Sequence, residues 1–286
     1  MAVRTQAERL IEEAAATLEA AGVASPVADA EWLLVHVLGQ PRAMIRRVPV
    51  DGTQRSTYLE MIAARARRVP LQHITGTAAF RYVDVEVGPG VFVPRPETEL
   101  LAGWAIENAQ GLERPVVVEL CAGSGAISLA IVHEVPHAEV HAVELDPDAF
   151  SWARRNLDDS GVDLRLGDMA DAFGDLDGTV DVVVANPPYI PLDAWESVAP
   201  EARDHDPALA LWSGDDGLDA MRVVDQVAWR LLKPGGVVGA EHADAQGESA
   251  PAVFTGRWSE VRDHRDLADR PRYVTARKTA DRPTPM

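Results

Sequence analysis

Cysteine is almost absent from this chain: Cys121 stands alone among 286 residues. One thiol cannot build an intrachain disulfide framework or a zinc ribbon, and its isolation fits a reducing cytoplasm. Long apolar runs are missing too. No stretch approaches the ~18 residues that a membrane helix needs. Met1-Ala2-Val3-Arg4-Thr5-Gln6 leads straight into charged sequence, so no secretory leader is expected. Basic residues are scarce: 27 Lys and Arg face 45 Asp and Glu, a formal charge of -18. A phosphate backbone repels such a chain, which argues against direct nucleic-acid binding.

What remains is an ordinary globular composition, 47% hydrophobic and 25% charged. The length accommodates one large domain or two of common size. The charge is unevenly spread. Residues 1–78 hold nine Arg, no Lys and eight Asp or Glu, a balance of +1 that leaves -19 for residues 79–286. The split predicts two domains with different surfaces.

Residues 1–78 read as a small all-α helical bundle. Thr5 and Glu8 form a capping-box pattern. Leu10, Ile11, Ala14, Leu18 and Ala21 recur at helical spacing, and Gly22 suits the helix end. Ser25-Pro26 restarts a helix, with the serine as cap, that should run to Leu38 and stop at Gly39. A third helix is expected from Thr53 to Arg68, before Pro70. Residues 79–93 are expected to form a β-hairpin connector. Val83, Val85 and Val87 alternate with Tyr82, Asp84 and Glu86, Gly88-Pro89-Gly90 turns the chain, and Val91-Phe92-Val93 returns as a second strand.

From residue 94 to 286, strand and helix patterns alternate. Seven strands are expected at 116–120, 140–144, 162–166, 180–185, 236–241, 261–264 and 273–277, with helices at 126–133, 147–158 and 218–232. Lys233-Pro234-Gly235-Gly236 marks a turn. Such alternation predicts a mostly parallel sheet with helices on both faces. Residues 191–216 form a long connection that leaves the C-terminal end of a strand, where ligands bind in open α/β folds. No internal repeat is visible, and the tail at 281–286 is expected to fray.

Two segments carry chemistry. Val116-Val117-Val118-Glu119-Leu120-Cys121-Ala122-Gly123-Ser124-Gly125-Ala126 is strand, tight loop and helix start. Gly123 and Gly125 let the backbone approach a ligand, and the helix beyond offers free N–H groups. Glu144 ends the next strand, 21 residues after Gly123, where an acid binds ribose hydroxyls in nucleotide-type sites. Glu119, at the mouth of the loop, is placed to accept from a methionine ammonium and would repel a pyrophosphate. Asp168 and Met169 end the third strand, where they would meet an adenine amine and its ring. Together these favour S-adenosylmethionine over a dinucleotide.

The second segment is Asn186-Pro187-Pro188-Tyr189, directly after a buried strand. The prolines end the sheet ladder and stiffen the turn. The Asn186 side-chain oxygen and the Pro187 carbonyl can each accept one hydrogen of a planar –NH₂ group. Tyr189 supplies an aromatic wall. Such a pocket orients an amide or an exocyclic amine toward a methyl donor, and catalysis comes mainly from positioning.

The glycine loop resembles the nucleotide-loop motif of class I (Rossmann-like) methyltransferases, Asp-x-Gly-x-Gly-x-Gly, with Glu119 for the acid and Cys121 for the first glycine. If position 121 needs a left-handed backbone, cysteine costs roughly 1–2 kcal/mol there. Beyond the loop, Pro94-Arg95-Pro96-Glu97-Thr98-Glu99 resembles a segment of the HemK-type protein-(glutamine-N5) methyltransferases. So do Pro70-Leu71-Gln72-His73-Ile74-Thr75-Gly76, Ser213-Gly214-Asp215-Asp216-Gly217 and Glu241-His242. The resemblance covers nearly the whole chain. It implies S-adenosylmethionine held by Glu119, Cys121, Ala122, Gly123, Ser124, Gly125, Glu144, Asp168, Met169 and Asn186. It implies peptide-chain release factors as the protein substrate, with the glutamine of their Gly-Gly-Gln loop methylated and translation termination modulated. Asn186, Pro187, Pro188 and Tyr189 would hold that glutamine, with Phe80 beside it. The helical bundle would dock the release factor, using the arginines at 46, 47, 65, 67 and 68. A monomeric, cytoplasmic enzyme is expected.

Other readings are weaker. His133-Glu134-Val135-Pro136-His137 matches a zinc-protease pattern, but Pro136 breaks the helix that would align the histidines. A nucleobase methyltransferase, acting on adenine N6 of DNA or guanine N2 of RNA, shares the Asn-Pro-Pro-Tyr logic. It would want a basic groove and base-stacking aromatics. A cofactor-binding protein without turnover is the remaining rival, motivated only by Cys121.

Overall fold

The computed structural model describes residues 5–280; the expected frayed tail lies outside them. Contacts divide the chain into a smaller unit, Met1–Thr77 with Ala199–His205, and a larger one, Ala78–Val198 with Asp206–Met286.

The smaller unit is helical, with α1 (Gln6–Ala20), α2 (Pro26–Leu38), α3 (Gly52–Ala66) and α4 (Leu71–Thr75). The Thr5–Glu8 capping box forms as expected, with both reciprocal bonds in place. Ser25 does not cap α2. Its backbone, at φ −128° and ψ 59°, leaves the extended cap conformation, and its side chain makes no cap hydrogen bond. Pro26 in the first turn supplies the preset φ instead. Gly39 closes α2 at φ 59°. Leu18, Leu33, Leu34, Ile45 and Tyr58 fill the core, and the Tyr58 hydroxyl is satisfied by the Ala30 carbonyl at 3.0 Å.

Of the five arginines, Arg46, Arg47 and Arg67 are exposed, whereas Arg65 and Arg68 are drawn into ion pairs. Arg65 is buried and pairs with Asp29 at 2.7 Å and with Glu201 at 2.9 Å. Arg68 takes the other Glu201 oxygen at 2.6 Å, and Arg46 pairs with Glu31. The Glu201 pairs are not legible in sequence, because Glu201 lies more than 130 residues from Arg65 and Arg68.

The larger unit opens with a hairpin of β1 (Thr77–Phe80) and β2 (Val83–Glu86). The expected return strand at Val91-Phe92-Val93 is absent: the reversal falls at Arg81, φ 52°, one strand earlier. Val85, Val87, Val91 and Val93 all enter the main core, which explains their apolar pattern without a second pairing. Next comes α5 (Thr98–Gln110), outside the helices read from periodicity. Thr98, Leu101, Ala102, Ala105, Ile106 and Ala109 form its buried stripe, but the partly buried Leu100 and Trp104 widen the apolar arc beyond that stripe.

Then follow β3 (Val116–Leu120), α6 (Ala126–Glu134), β4 (Glu139–Glu144), α7 (Pro147–Asn156), β5 (Asp163–Leu166) and β6 (Val180–Ala185). After β6 come α8 (Pro200–His205), which belongs to the smaller unit, then α9 (Asp219–Leu231), β7 (Leu232–Glu241), α10 (Ser249–Val253), β8 (Trp258–Arg265) and β9 (Pro271–Lys278). The seven-stranded sheet has the order β5-β4-β3-β6-β7-β9-β8. All pairs from β5 to β7 are parallel, and β9 is antiparallel to β7 and β8. Lys233-Pro234-Gly235-Gly236 turns within β7 as a bulge between the Val180 and Val182 registers.

Side chains of β3 and β6 alternate between two cores, Val117, Val182 and Val184 in one and Val118, Val183 and Ala185 in the other. Burial on both faces is why these strands read as unbroken valine runs. The strand order reverses between β3 and β6, since β3 leads to β4 on one side while β6 lies on the other. Ligands of open α/β sheets bind at that point, beyond the carboxyl ends of the strands.

Candidate functional site

Both chemistry-bearing segments fall at this switch point. Leu120 is level with Ala185, and Ala185 with Ala240. Cys121, Asn186 and Glu241 therefore follow one another at adjacent strand ends.

The loop after β3 is strained and pinned. Cys121 has φ 61°, Gly123 φ 57° and Gly125 φ 79°. The left-handed condition at position 121 is met, so the cost of a non-glycine residue applies. A Cβ on Gly123 would meet nothing within 4 Å, so the loop faces open space there. A Cβ on Gly125 would press on Leu157 at 2.9 Å, which makes that glycine a packing requirement as well. Ala122 is buried and its N–H donates to the Val143 carbonyl at 3.0 Å. Ser124 is buried too, and its carbonyl accepts from Asn156.

Glu144 holds the loop from below. One oxygen accepts from the Gly123 N–H at 2.7 Å and the other from the Asp146 N–H at 2.8 Å. Burial pushes its carboxyl up, against those backbone hydrogen bonds. A carboxylate has about four acceptor positions, so capacity remains for ribose hydroxyls. Asp168 is exposed and Met169 half-buried, with the Met169 sulfur 3.6 Å from the Cys121 sulfur. Burial and the carboxylates of Glu144, Glu119 and Asp168 push the Cys121 thiol up.

Glu119 differs from expectation. Only 1% exposed, it does not stand at the mouth of the loop. One of its oxygens accepts from the backbone N–H of Ser128 at 2.9 Å and from the Ser128 hydroxyl. Burial, opposed by those bonds, pushes its carboxyl up to about 8. It ties the first turn of α6 to β3.

At the end of β6, Pro187 is buried while Asn186, Pro188 and Tyr189 are half-buried. The Asn186 amide donates to the Thr98 hydroxyl at 3.3 Å, and that hydroxyl donates to Glu241 at 2.7 Å. The Tyr189 hydroxyl donates to the other Glu241 oxygen at 3.3 Å. Glu241 is 1% exposed, and burial raises its carboxyl to about 7 against Thr98, Arg272 and Tyr189. The Tyr189 carbonyl accepts from Gln246 at 3.1 Å. Gly217, φ 73°, lies so close that a Cβ would reach that carbonyl at 2.3 Å. Ile190 and Leu192 pair with Leu211, Ser213 and Gly214. This is what the Ser213–Gly217 segment does: it cradles the backbone that follows Tyr189.

Thr98, Glu241 and Gln246 escaped the sequence reading as site residues. The only signal was that Thr98 and Glu241 sat in segments with a family resemblance. Phe80, by contrast, is fully buried in the core with Val85 and Leu101 and offers no surface to a ligand. An aromatic at a strand end had two possible destinations, and packing took it. The His133–His137 pattern does not assemble: α6 ends at Glu134, which pairs with Arg81 at 2.6 Å. Among the described residues no cluster of His, Cys, Asp and Glu suits a metal ion, and no helix is long and apolar enough to cross a membrane.

The residues present fit S-adenosylmethionine. Open space lies over Gly123, an acid stands at the end of β4, and an acid and a thioether stand at the end of β5. Comparison with known proteins agrees. Residues 9–76 match the family model of the PrmC N-terminal domain, and residues 96–199 that of the methyltransferase small domain. A release factor glutamine methyltransferase of Streptomyces coelicolor is 56% identical over 94% of this chain and 96% of its own. One of Mycolicibacterium smegmatis is 45% identical, covering 96% and 99%. A 4-amino-L-phenylalanine/4-methylamino-L-phenylalanine methyltransferase of Streptomyces pristinaespiralis is 40% identical, covering 87% and 88%. This chain belongs to the release factor glutamine methyltransferase family.

Proposed function

We propose that this enzyme methylates the side-chain amide nitrogen of the glutamine in the Gly-Gly-Gln loop of peptide-chain release factors, and so modulates translation termination. The observation that carries the reading is the Asn186 carboxamide at the end of β6, its –NH₂ turned to Thr98 and its oxygen left for a donor. The near-full-length identity to release factor methyltransferases supports the substrate.

Bound over the glycine loop, S-adenosylmethionine supplies an electrophilic methyl group on a sulfonium. Gly123, Glu144, Asp168 and Met169 would hold it, with the Cys121–Gly125 backbone beneath. Asn186 Oδ1 and the Pro187 carbonyl accept the two amide hydrogens of the glutamine and fix the direction of its nitrogen. Two acceptors also hold electron density on that nitrogen, against its delocalisation into the amide carbonyl. Tyr189 walls the pocket. As the new N–C bond forms and the sulfonium S–C bond breaks, leaving a neutral thioether, the same two oxygens stabilise the positive charge gained by the nitrogen, and one N–H proton is released to water. Positioning of this kind is worth several orders of magnitude in rate.

The chain is proposed to act as a cytoplasmic monomer without contacting nucleic acid directly, in keeping with its charge of -18. The test is methyl transfer from labelled cofactor to purified release factor, comparing wild type with Asn186→Ala. Label is expected on the Gly-Gly-Gln glutamine, with kcat/KM down at least about 100-fold in the variant. Label on DNA, RNA or an aromatic amine in place of the release factor overturns the reading.

A further inference from the structure

We propose that Thr98 and Glu241 are positioning residues that lock the Asn186 carboxamide with its oxygen toward the substrate nitrogen. The inference rests on the reading of Asn186 as an acceptor for the glutamine amide. Three elements converge to make the lock: Thr98 opens α5, Asn186 follows β6 and Glu241 ends β7.

A threonine hydroxyl has one hydrogen and two lone pairs, and an ionised carboxylate only accepts. The Thr98 hydroxyl lies 2.7 Å from Glu241, so with Glu241 ionised its one hydrogen is spent there. Toward Asn186 it can only accept. The –NH₂ end of the carboxamide satisfies that demand, and the oxygen end does not. Asn186 Oδ1 is thereby left for the substrate. The opposite orientation of the amide would set the Asn186 oxygen against a lone pair of the Thr98 hydroxyl, acceptor against acceptor.

The other Glu241 oxygen takes the Tyr189 hydroxyl. One buried carboxylate thus fixes both polar side chains of the Asn-Pro-Pro-Tyr turn. If the Asn186 amide rotated by half a turn, it would present –NH₂ to the substrate –NH₂, donor against donor. That orientation binds no glutamine amide productively. Buried as Glu241 is, water has no access to replace Thr98 as its partner.

The experiment is steady-state kinetics of Thr98→Val, Thr98→Ala and Thr98→Ser with purified release factor and labelled cofactor. Calorimetric cofactor stoichiometry counts the folded sites. Thr98→Val removes the relay with little change of shape, and Thr98→Ala covers the case in which valine packs badly. For either, kcat is expected to fall about 10- to 100-fold, with KM for the release factor within about threefold of wild type, since the protein–protein surface is untouched. Cofactor stoichiometry and affinity should be unchanged. Thr98→Ser keeps the hydroxyl and should restore kcat to within about threefold. Full kcat in the valine and alanine variants, or no rescue by serine at full cofactor stoichiometry, overturns the inference. An active Asn186→Ala enzyme would instead bring down the underlying reading. An inactive Asn186→Ala enzyme beside a fully active Thr98→Val enzyme would remove this inference alone.

Discussion

Glu119 accepts from both the backbone N–H and the hydroxyl of Ser128, and so fastens the first turn of α6 to the end of β3. Its burial raises the carboxyl to about 8. A carboxyl raised on folding contributes stability that is fully present below the unfolded pKa, about 4.3. That contribution is lost as pH rises through the folded value. Glu119→Gln carries no such proton. The urea midpoint of wild type should therefore fall relative to Glu119→Gln between about pH 5 and pH 9. Parallel midpoint curves over that range would show that Glu119 is ionised throughout.

Glu241 brings pH into catalysis. It faces Thr98, Tyr189 and Arg272, which favour its ionised form, and Glu97, which does not, and burial brings it to about 7. A proton on Glu241 adds a donor to the relay, so the Thr98 hydrogen is no longer committed and the Asn186 amide is free to turn. Acid should therefore lower kcat as pH falls through about 7. Glu241→Gln should lack that acidic limb while keeping a lowered, pH-independent kcat. An unchanged acidic limb in Glu241→Gln would assign it to another group.

Much of this arrangement is legible in sequence, for local reasons. Valine runs bounded by glycine or proline mark β3 and β6, because a parallel strand is buried on both faces. The glycine loop and the Asn-Pro-Pro-Tyr turn announce themselves because backbone geometry dictates their residues. What stays hidden depends on distance along the chain. Thr98 and Glu241 lie 143 residues apart and Asn186 and Thr98 88 apart, and no periodicity links them. Phe80 and Glu119 were misplaced because a strand pattern gives a side chain's face but not its depth. Helix α5 is less legible because Leu100 and Trp104 widen its apolar arc beyond the buried stripe and Gly103 lies in its interior.

Cys121 occupies a backbone that favours glycine, with φ 61°. Cys121→Gly removes the strain but frees the unfolded chain, two effects of similar size. Its unfolding free energy should stay within about 1 kcal/mol of wild type. Cys121→Val puts a β-branched side chain in the left-handed region and should cost about 2 kcal/mol or more. Denaturant melts of both variants test this, and equal stability of the two would mean that the loop relaxes. The raised thiol also predicts that alkylation by iodoacetamide at pH 8 is slower than for an unperturbed cysteine. Labelling at the rate of a free thiol would contradict the carboxylate-rich surroundings.

In the smaller unit, Arg65 is the shared cation of Asp29 and Glu201, and its side chain is only 8% exposed. Removing one partner of a buried cluster leaves the others unpaired, at a cost of about 3–5 kcal/mol when burial is complete. Arg65→Met should destabilise by about 2–4 kcal/mol, since Glu201 keeps Arg68. Burial pushes Glu201 up, but Arg68 and Arg65 outweigh it and hold the carboxyl at about 2. A carboxyl lowered on folding contributes stability that is present above the unfolded value of about 4.3 and lost as pH falls through the folded one. The stability gap between wild type and Glu201→Gln should therefore be constant above about pH 5 and shrink toward pH 2. A double-mutant cycle of Arg65→Met with Glu201→Gln should show coupling of about 1–3 kcal/mol at neutral pH that vanishes in acid. Additive effects at neutral pH would mean that the two side chains are neighbours without being partners.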